Sequence, residues 1–310
     1  MSPTLPLRSE DPEHLGGYDL LGRLGEGGMG TVYLGRDGCG RRVAVKVLRA
    51  DLAADRDFVE RFRREADAAR RVAPFCTAQV LEVRLAGERP LLVIEYVDGP
   101  TLQSRVAERG SLAPSSLVAV AVGVVAALTA IHRAGLVHRD LKPDNILLSP
   151  EGPRVIDFGI ARDRVVGSTL TQAGVPLGTP PFMAPEQFTQ DEPVSAAADV
   201  FAWGGIVTFA ATGRPPFGDG PVGRVAYRVV HESPDLDGLG GPLRELVVAA
   251  MAKDPSARPA AQELLWHLLD GRTGAVAAAA AVVALPATVP ATTQVLQPDL
   301  AAGPPRGETV

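Results

Sequence analysis

The sequence predicts an α+β fold, with strand-like and helical text segregated along the chain rather than alternating. Two observations predict it. Alternating apolar residues and turn signals run from Tyr18 to Gly99, interrupted by one helical stretch, and long apolar helical stretches dominate beyond Leu117. A third observation is chemical. The stretch H-R-D-L-K-P-D-N-I-L-L-S-P-E-G-P-R-V-I-D-F-G, His138 to Gly159, puts the carboxylates of Asp140 and Asp157, the ammonium of Lys142 and the carboxamide of Asn145 on loops at strand ends. Such loops are where a rigid scaffold presents reactive groups.

The 310 residues suffice for two lobes with a sizeable core. Lys and Arg total 31 against 36 Asp and Glu, a net charge of −5 that gives no reason to expect a nucleic acid partner. Cys39 and Cys76 cannot build a disulfide framework and read as small hydrophobes in a reducing compartment. His14, His132, His138, His231 and His267 show no metal-ligand spacing. Residues 1–13, rich in Pro and acidic residues, read as a disordered leader without the apolar core of a signal peptide, so a cytoplasmic location is expected.

Strand text begins at Tyr18, and Asp37-Gly38 turns the chain into Arg42–Leu48. Between the first two strands lies Gly25-x-Gly27-x-x-Gly30, where a backbone free of side chains can close over a phosphate. A dinucleotide fold shares that pattern but needs a helix straight after the third glycine, whereas Thr31-Val32-Tyr33-Leu34 reads as a strand. Alternation puts Val43, Val45 and Val47 on one face of the next strand and Ala44, Lys46 and Leu48 on the other. Lys46, between apolar neighbours, therefore needs a counter-charge. Asp55 to Val72 reads as a helix with Phe58, Phe62, Ala66 and Ala69 on one stripe, and Glu65 falls on that stripe. A core-facing carboxylate without a partner is costly, so Lys46 and Glu65 are expected to pair. Residues 73–90 predict two further strands, and Leu91–Gly99 a buried strand running into a turn.

No charge occurs from Gly110 to Ile131, 22 positions. Pro114, Ser115 and Ser116 look like a helix start, and the 15-residue helix predicted over Leu117–Ile131 falls short of the roughly 20 residues a membrane span needs. A buried core helix is expected. Asp199 opens a second apolar helix, where a buried carboxylate needs donors and could cap the helix, a role compatible with accepting further hydrogen bonds. Pro259 to Leu269 predicts a final amphipathic helix ended by Gly271. Residues 271–310, rich in Ala, Pro and Thr, are uncharged from Ala275 to Pro298. Their longest Pro-free apolar run is too short for a span, and they read as a disordered tail.

Taken with the glycine loop and V-A-V-K (Val43–Lys46), H-R-D-L-K-P-D-N (His138–Asn145), D-F-G (Asp157–Gly159) and A-P-E (Ala184–Glu186) resemble the motif set of eukaryotic-type protein kinases. The resemblance runs from about Tyr18 to Asp270, and the style of the text suggests the bacterial, actinobacterial branch. It implies a bilobal fold: a small β-rich N-terminal lobe with one key helix (14–97) and a larger helical C-terminal lobe (98–270). It also implies Mg-ATP (or Mn-ATP) as cofactor and transfer of the γ-phosphate to Ser or Thr of protein substrates. Leu24, Gly25, Gly27, Gly30, Val32, Ala44, Lys46 and Glu65 would form the nucleotide site, with backbone groups of Glu95 and Val97 on adenine and Ile94 guarding the pocket behind it. Asp140, Lys142 and Asn145 would be catalytic, with Asn145 and Asp157 holding the metal. Ser168, Thr169 and Thr171 would be phosphoacceptors of an activation segment, captured by Arg139. Thr179 would contact Asp140 and Lys142. Structural roles would fall to Asp199, bonded to the catalytic-loop backbone, and to Glu186 paired with Arg258. The resemblance also raises N-lobe pairing of two copies; membrane association by this stretch is unexpected because neither of its apolar runs is long enough for a span. A pseudokinase scaffold would lack Lys46, Asp140 or Asp157, and a small-molecule phosphotransferase would lack A-P-E.

Overall fold

The computed structural model describes residues 4–27, 30–73, 75–85, 89–157, 180–189 and 194–270. Ser168, Thr169, Thr171, Thr179 and the tail 271–310 lie outside the described residues.

An antiparallel sheet of strands β1 (His14–Leu15), β2 (Tyr18–Gly27), β3 (Gly30–Arg36), β4 (Arg42–Leu48), β5 (Val80–Arg84) and β6 (Leu91–Glu95) makes the N-terminal lobe, in the order β1-β2-β3-β4-β6-β5. The period-two pattern of β4 decides its two faces. Val43 and Val45, fully buried, pack with Leu20, Tyr33, Leu91 and Val93 in one apolar cluster, while Leu48 joins Phe58 and Phe62 in another. Helix α1 (Ala50–Ala54), absent from the sequence reading, precedes α2 (Arg56–Ala69). Asp55 ends the first and caps the second, its carboxylate accepting from the amides of Asp57 and Phe58 at 3.0 and 3.1 Å. The predicted stripe of α2, Phe58, Phe62, Ala66 and Ala69, is buried.

Three expectations for this lobe need correction. Residues 73–90 contribute one strand, β5, among the described residues, because Cys76–Ala78 turn inward beside Val155 instead of pairing at the sheet edge. Cys76 is a buried hydrophobe, its thiol pushed up to about 12 by burial, but Cys39 is exposed in the β3–β4 turn. The leader is not disordered over residues 4–13. Leu5 exchanges both backbone hydrogen bonds with Arg23, at 2.9 and 2.8 Å, and Asp11 is held by Arg23 and Tyr33. Composition suggested a solvated segment; specific partners on β2 and β3 outweigh it.

The C-terminal lobe contains α3 (Leu102–Arg109), α4 (Pro114–Arg133), the hairpin β7 (Ile146–Ser149) and β8 (Gly152–Val155), and helices α5 (Glu186–Thr189), α6 (Ala196–Thr212), α7 (Val222–His231), α8 (Gly241–Ala250) and α9 (Ala261–Leu269). Helix α4 has 20 residues, not 15, because Pro114 starts it and His132-Arg133 extend it. By length and composition it could cross a membrane, so the length argument fails. Burial carries the core reading instead: nearly every residue from Val120 to Ile131 is buried against α6, α9 and β8, and Trp203 Nε1 donates to the Ala121 carbonyl at 2.9 Å. Helix α6 is buried from Ala198 to Ala210 and ends at Gly213 in the left-handed region.

Candidate active site

The glycine motif lies on the facing ends of β2 and β3, with Gly25 opposite Val32 and Gly27 opposite Gly30. Gly30 has φ 147°, and a Cβ there would drive into the Val47 carbonyl oxygen, so glycine alone fits. Around Gly25 and Gly27 a Cβ would meet nothing, leaving room on that side of the hairpin. Leu24 lies on β2 and Ala44 on β4, the latter paired with Ile94, and Lys46 sits opposite Val32 and Leu92. Glu95 ends β6, and Val97 and Asp98 lead to Gly99, whose φ of 157° lets it press on the Leu148 carbonyl.

Below this sheet, Asp140 is buried and Asn145 closes a 3₁₀ turn over Pro143–Asn145. Asn145 Nδ2 donates to the Asp140 carbonyl at 2.8 Å and to its carboxylate at 3.2 Å. Lys142 Nζ lies 3.2 Å from the same carboxylate. The Ile156 amide donates to the Asn145 carbonyl at 2.9 Å, which ties the residue before Asp157 to the loop carrying Asp140. Arg139 (φ 65°) and Asp157 (φ 57°) are the non-glycine residues with positive φ among those described, a sparsely populated geometry that concentrates at functional sites.

A buried carboxylate organises the loop from beneath. Asp199, 1% exposed, accepts from the His138 amide at 2.7 Å and the Arg139 amide at 2.8 Å, with His132 Nε2 at 2.8 Å. It does not cap its helix; Ser195 does, accepting from the Ala197 amide. His138 and His132 escaped the sequence reading, which looked for metal-ligand spacing. His138, fully buried, accepts the Asp140 amide at Nδ1 (3.3 Å), so Nε2 carries the proton that bonds the Ile156 carbonyl at 3.1 Å. Its signal was adjacency to Arg139-Asp140. Gln187 was also missed; it bridges the Ala184 amide (2.8 Å) and the Arg139 carbonyl (3.4 Å). Arg258, with its side chain fully buried, makes a two-pronged pair with Glu186 at 2.7 and 2.8 Å.

The expected Lys46–Glu65 pair does not form here. Lys46 Nζ lies 3.0 Å from Asp157 Oδ1, and Glu65 lies 3.5 Å from Arg139 Nη1. All four side chains are largely buried, so each charge needs a neighbour, and here Asp157 supplies Lys46's and Arg139 supplies Glu65's.

The donor set suits a hard cation beside phosphate. Asp157 offers carboxylate oxygens and Asn145, its amide nitrogen engaged by Asp140, an amide oxygen. Magnesium typically takes one or two such protein ligands and fills its shell with water and substrate phosphates.

Comparison with known proteins agrees with this geometry. The protein kinase domain model matches residues 18–269. This chain belongs to the protein kinase family, in its bacterial serine/threonine branch. It is 46% identical over 269 residues to the probable serine/threonine-protein kinase PkwA of Thermomonospora curvata, covering 87% of this chain and 36% of that protein. It is 46% identical over 263 residues to the serine/threonine-protein kinase AfsK of Streptomyces coelicolor, covering 84% of this chain and 33% of that one. The serine/threonine-protein kinase PknB of Mycobacterium tuberculosis is 42% identical over 263 residues, 80% of this chain and 41% of its own. The chain thus spans about a third to two-fifths of the length of these relatives.

Proposed function

We propose that this domain transfers the γ-phosphate of ATP to Ser or Thr hydroxyls of proteins, with Mg²⁺ or Mn²⁺ as the working ion. The single observation that carries the reading is the convergence of Asp140, Lys142 and Asn145 on one carboxylate-centred cluster, tied through Ile156 to Asp157 and so to Lys46. When bound, Mg-ATP supplies the phosphoryl group and the cation that draws charge off its oxygens. Asp140 accepts the proton of the substrate hydroxyl as its oxygen attacks, and Lys142 offsets charge on the moving phosphoryl. Asn145 and Asp157 would hold the metal, and Lys46 the nucleotide phosphates under the Gly25–Gly30 hairpin. Backbone groups of Glu95 and Val97 would orient adenine, between Leu24, Val32 and Ala44, in front of Ile94. Turnover of roughly 1–100 s⁻¹ is normal for such enzymes.

The crossed ion pairs give this reading a resting form. Moving Glu65 to Lys46 would release Asp157 toward the metal and Arg139 toward a phosphate. Phosphorylation of Thr169 or Thr171 would supply that phosphate, since a phosphoryl group attracts a guanidinium strongly. Incubation with Mg-ATP followed by mass-spectrometric mapping is expected to find phosphate on Thr169 or Thr171. Replacing both by Ala should then lower activity, and full activity in that variant would remove the switch. Lys46→Met is expected to fold yet transfer no radiolabelled phosphate; retained transfer would take Lys46 out of the mechanism. We further infer a cytoplasmic site of action, with Ser/Thr-bearing proteins as substrates and N-lobe pairing as the mode of self-association.

A further inference from the structure

Residues 4–13 lie along the edge of β2 that β1 also uses. Leu5 pairs with Arg23, and the Leu20 amide donates to the Glu13 carbonyl at 2.7 Å. The approach is close: a Cβ on Gly22 would lie 2.5 Å from Thr4 Cγ2 and 2.7 Å from the Leu5 carbonyl oxygen. Asp11 fastens the end of this segment. Its side chain, 5% exposed, accepts from the Tyr33 hydroxyl at 2.6 Å and the Arg8 amide at 2.8 Å, and lies 3.5 Å from Arg23 Nη1.

Arg23 is equally buried, with 7% of its side chain exposed. Its Nη2 reaches Glu26 at 3.1 Å and Thr31 at 3.3 Å. Those two residues face each other in the last register pair before Gly27 and Gly30, so one guanidinium clasps both strands at the base of the glycine hairpin. Arg8 adds a second contact to Glu26 at 3.5 Å. Arg23 Nη1, sealed from solvent, makes no hydrogen bond among the described residues, and the charge beside it is that of Asp11. A buried guanidinium with that neutralisation removed has reason to leave its place.

We propose that residues 4–11 are a strap that sets the glycine hairpin through Asp11 and Arg23, making both positioning residues for nucleotide binding. The proposal rests on the reading that this hairpin covers nucleotide phosphates. The strap holds Asp11, Asp11 holds Arg23, and Arg23 holds the two strands together next to Gly27 and Gly30. None of the three touches the nucleotide in this scheme.

The test is hydrogen exchange on the nucleotide-free full chain, paired with Mg-ADP affinity by calorimetry. Asp11→Asn keeps the side chain's size but removes its charge. Its amides over residues 24–32 are expected to exchange about tenfold faster, with α4 unchanged, because local opening follows the contacts of the opening segment. Mg-ADP should bind about three- to tenfold more weakly, a loss of order one hydrogen-bonded contact. Arg23→Lys, which keeps a cation beside Asp11 but cannot clasp Glu26 and Thr31 together, should do the same. Tyr33→Phe, which spares the Arg23 clasp, should change either readout less than twofold. If residues 4–13 exchange faster in Asp11→Asn while residues 24–32 do not, the strap is only a cover and the proposal is overturned. Unchanged exchange in both segments overturns it as well. A wild-type chain that binds no Mg-ADP would sink the nucleotide reading instead, and the exchange data would still decide whether strap and hairpin are coupled.

Discussion

Asp140→Asn is expected to lower kcat by about 10²–10⁴-fold, the range that a positioned general base contributes. The carboxamide has nearly the same shape and can still meet Asn145 Nδ2 through its oxygen, so the loop held by Asp199 should stay in place. What disappears is the acceptor for the substrate's proton, and with it the negative charge that Lys142 faces at 3.2 Å. Steady-state kinetics on a Ser-containing peptide, with thermal unfolding as the check on folding, measures this. The KM for ATP should move little, since Asp140 is assigned to the hydroxyl and not to the nucleotide. A loss smaller than about tenfold would mean that the hydroxyl gives up its proton elsewhere. A folded Asp140→Asn that autophosphorylates normally would refute the assignment outright.

Arg258→Ala is expected to cost about 3–5 kcal/mol of stability, the penalty for removing one partner of a buried ion pair. The side chain is fully buried, bonds Glu186 through both terminal nitrogens, and donates to the carbonyls of Ala252, Ala197 and Lys253 at 2.8, 2.9 and 3.0 Å. Its removal leaves Glu186 buried without its partner and takes a donor from three carbonyls. It also withdraws a cation from the face of Phe201, 5.0 Å from the ring centroid. Urea unfolding followed by circular dichroism would report the loss. The double variant Arg258→Met with Glu186→Leu should recover a large part of it, because paired burial of charge is close to break-even against apolar isosteres. A single-variant cost below about 1 kcal/mol would show the pair to be ornamental.

Local chemistry made much of this protein legible before any coordinates. The β4 alternation and the α2 stripe each state which face is apolar, and the folded chain buries those faces. The helix-opening Pro114 and the buried Asp199 likewise follow from single residues in context. Errors arose where an outcome depends on which of several distant partners wins. Composition suggested that residues 1–13 stay solvated, but Asp11 finds Arg23 and Tyr33, 12 and 22 residues away, and residues 4–13 dock. Counting suggested a helix of 15 residues, whereas burial from Val120 to Leu128, and not length, is what marks α4 as core.

By itself, then, the sequence determined which groups this protein owns and on which local faces they lie: Lys46 on an apolar strand face, Glu65 on a buried stripe, Asp140 and Asp157 on neighbouring loops. Only the tertiary structure decided who meets whom, Lys46 with Asp157 and Glu65 with Arg139. The physical reason is that periodicity is a property of a few consecutive residues. Pairing among several part-buried charges is a competition between near-equal Coulomb energies, set by how strand, helix and loop pack together.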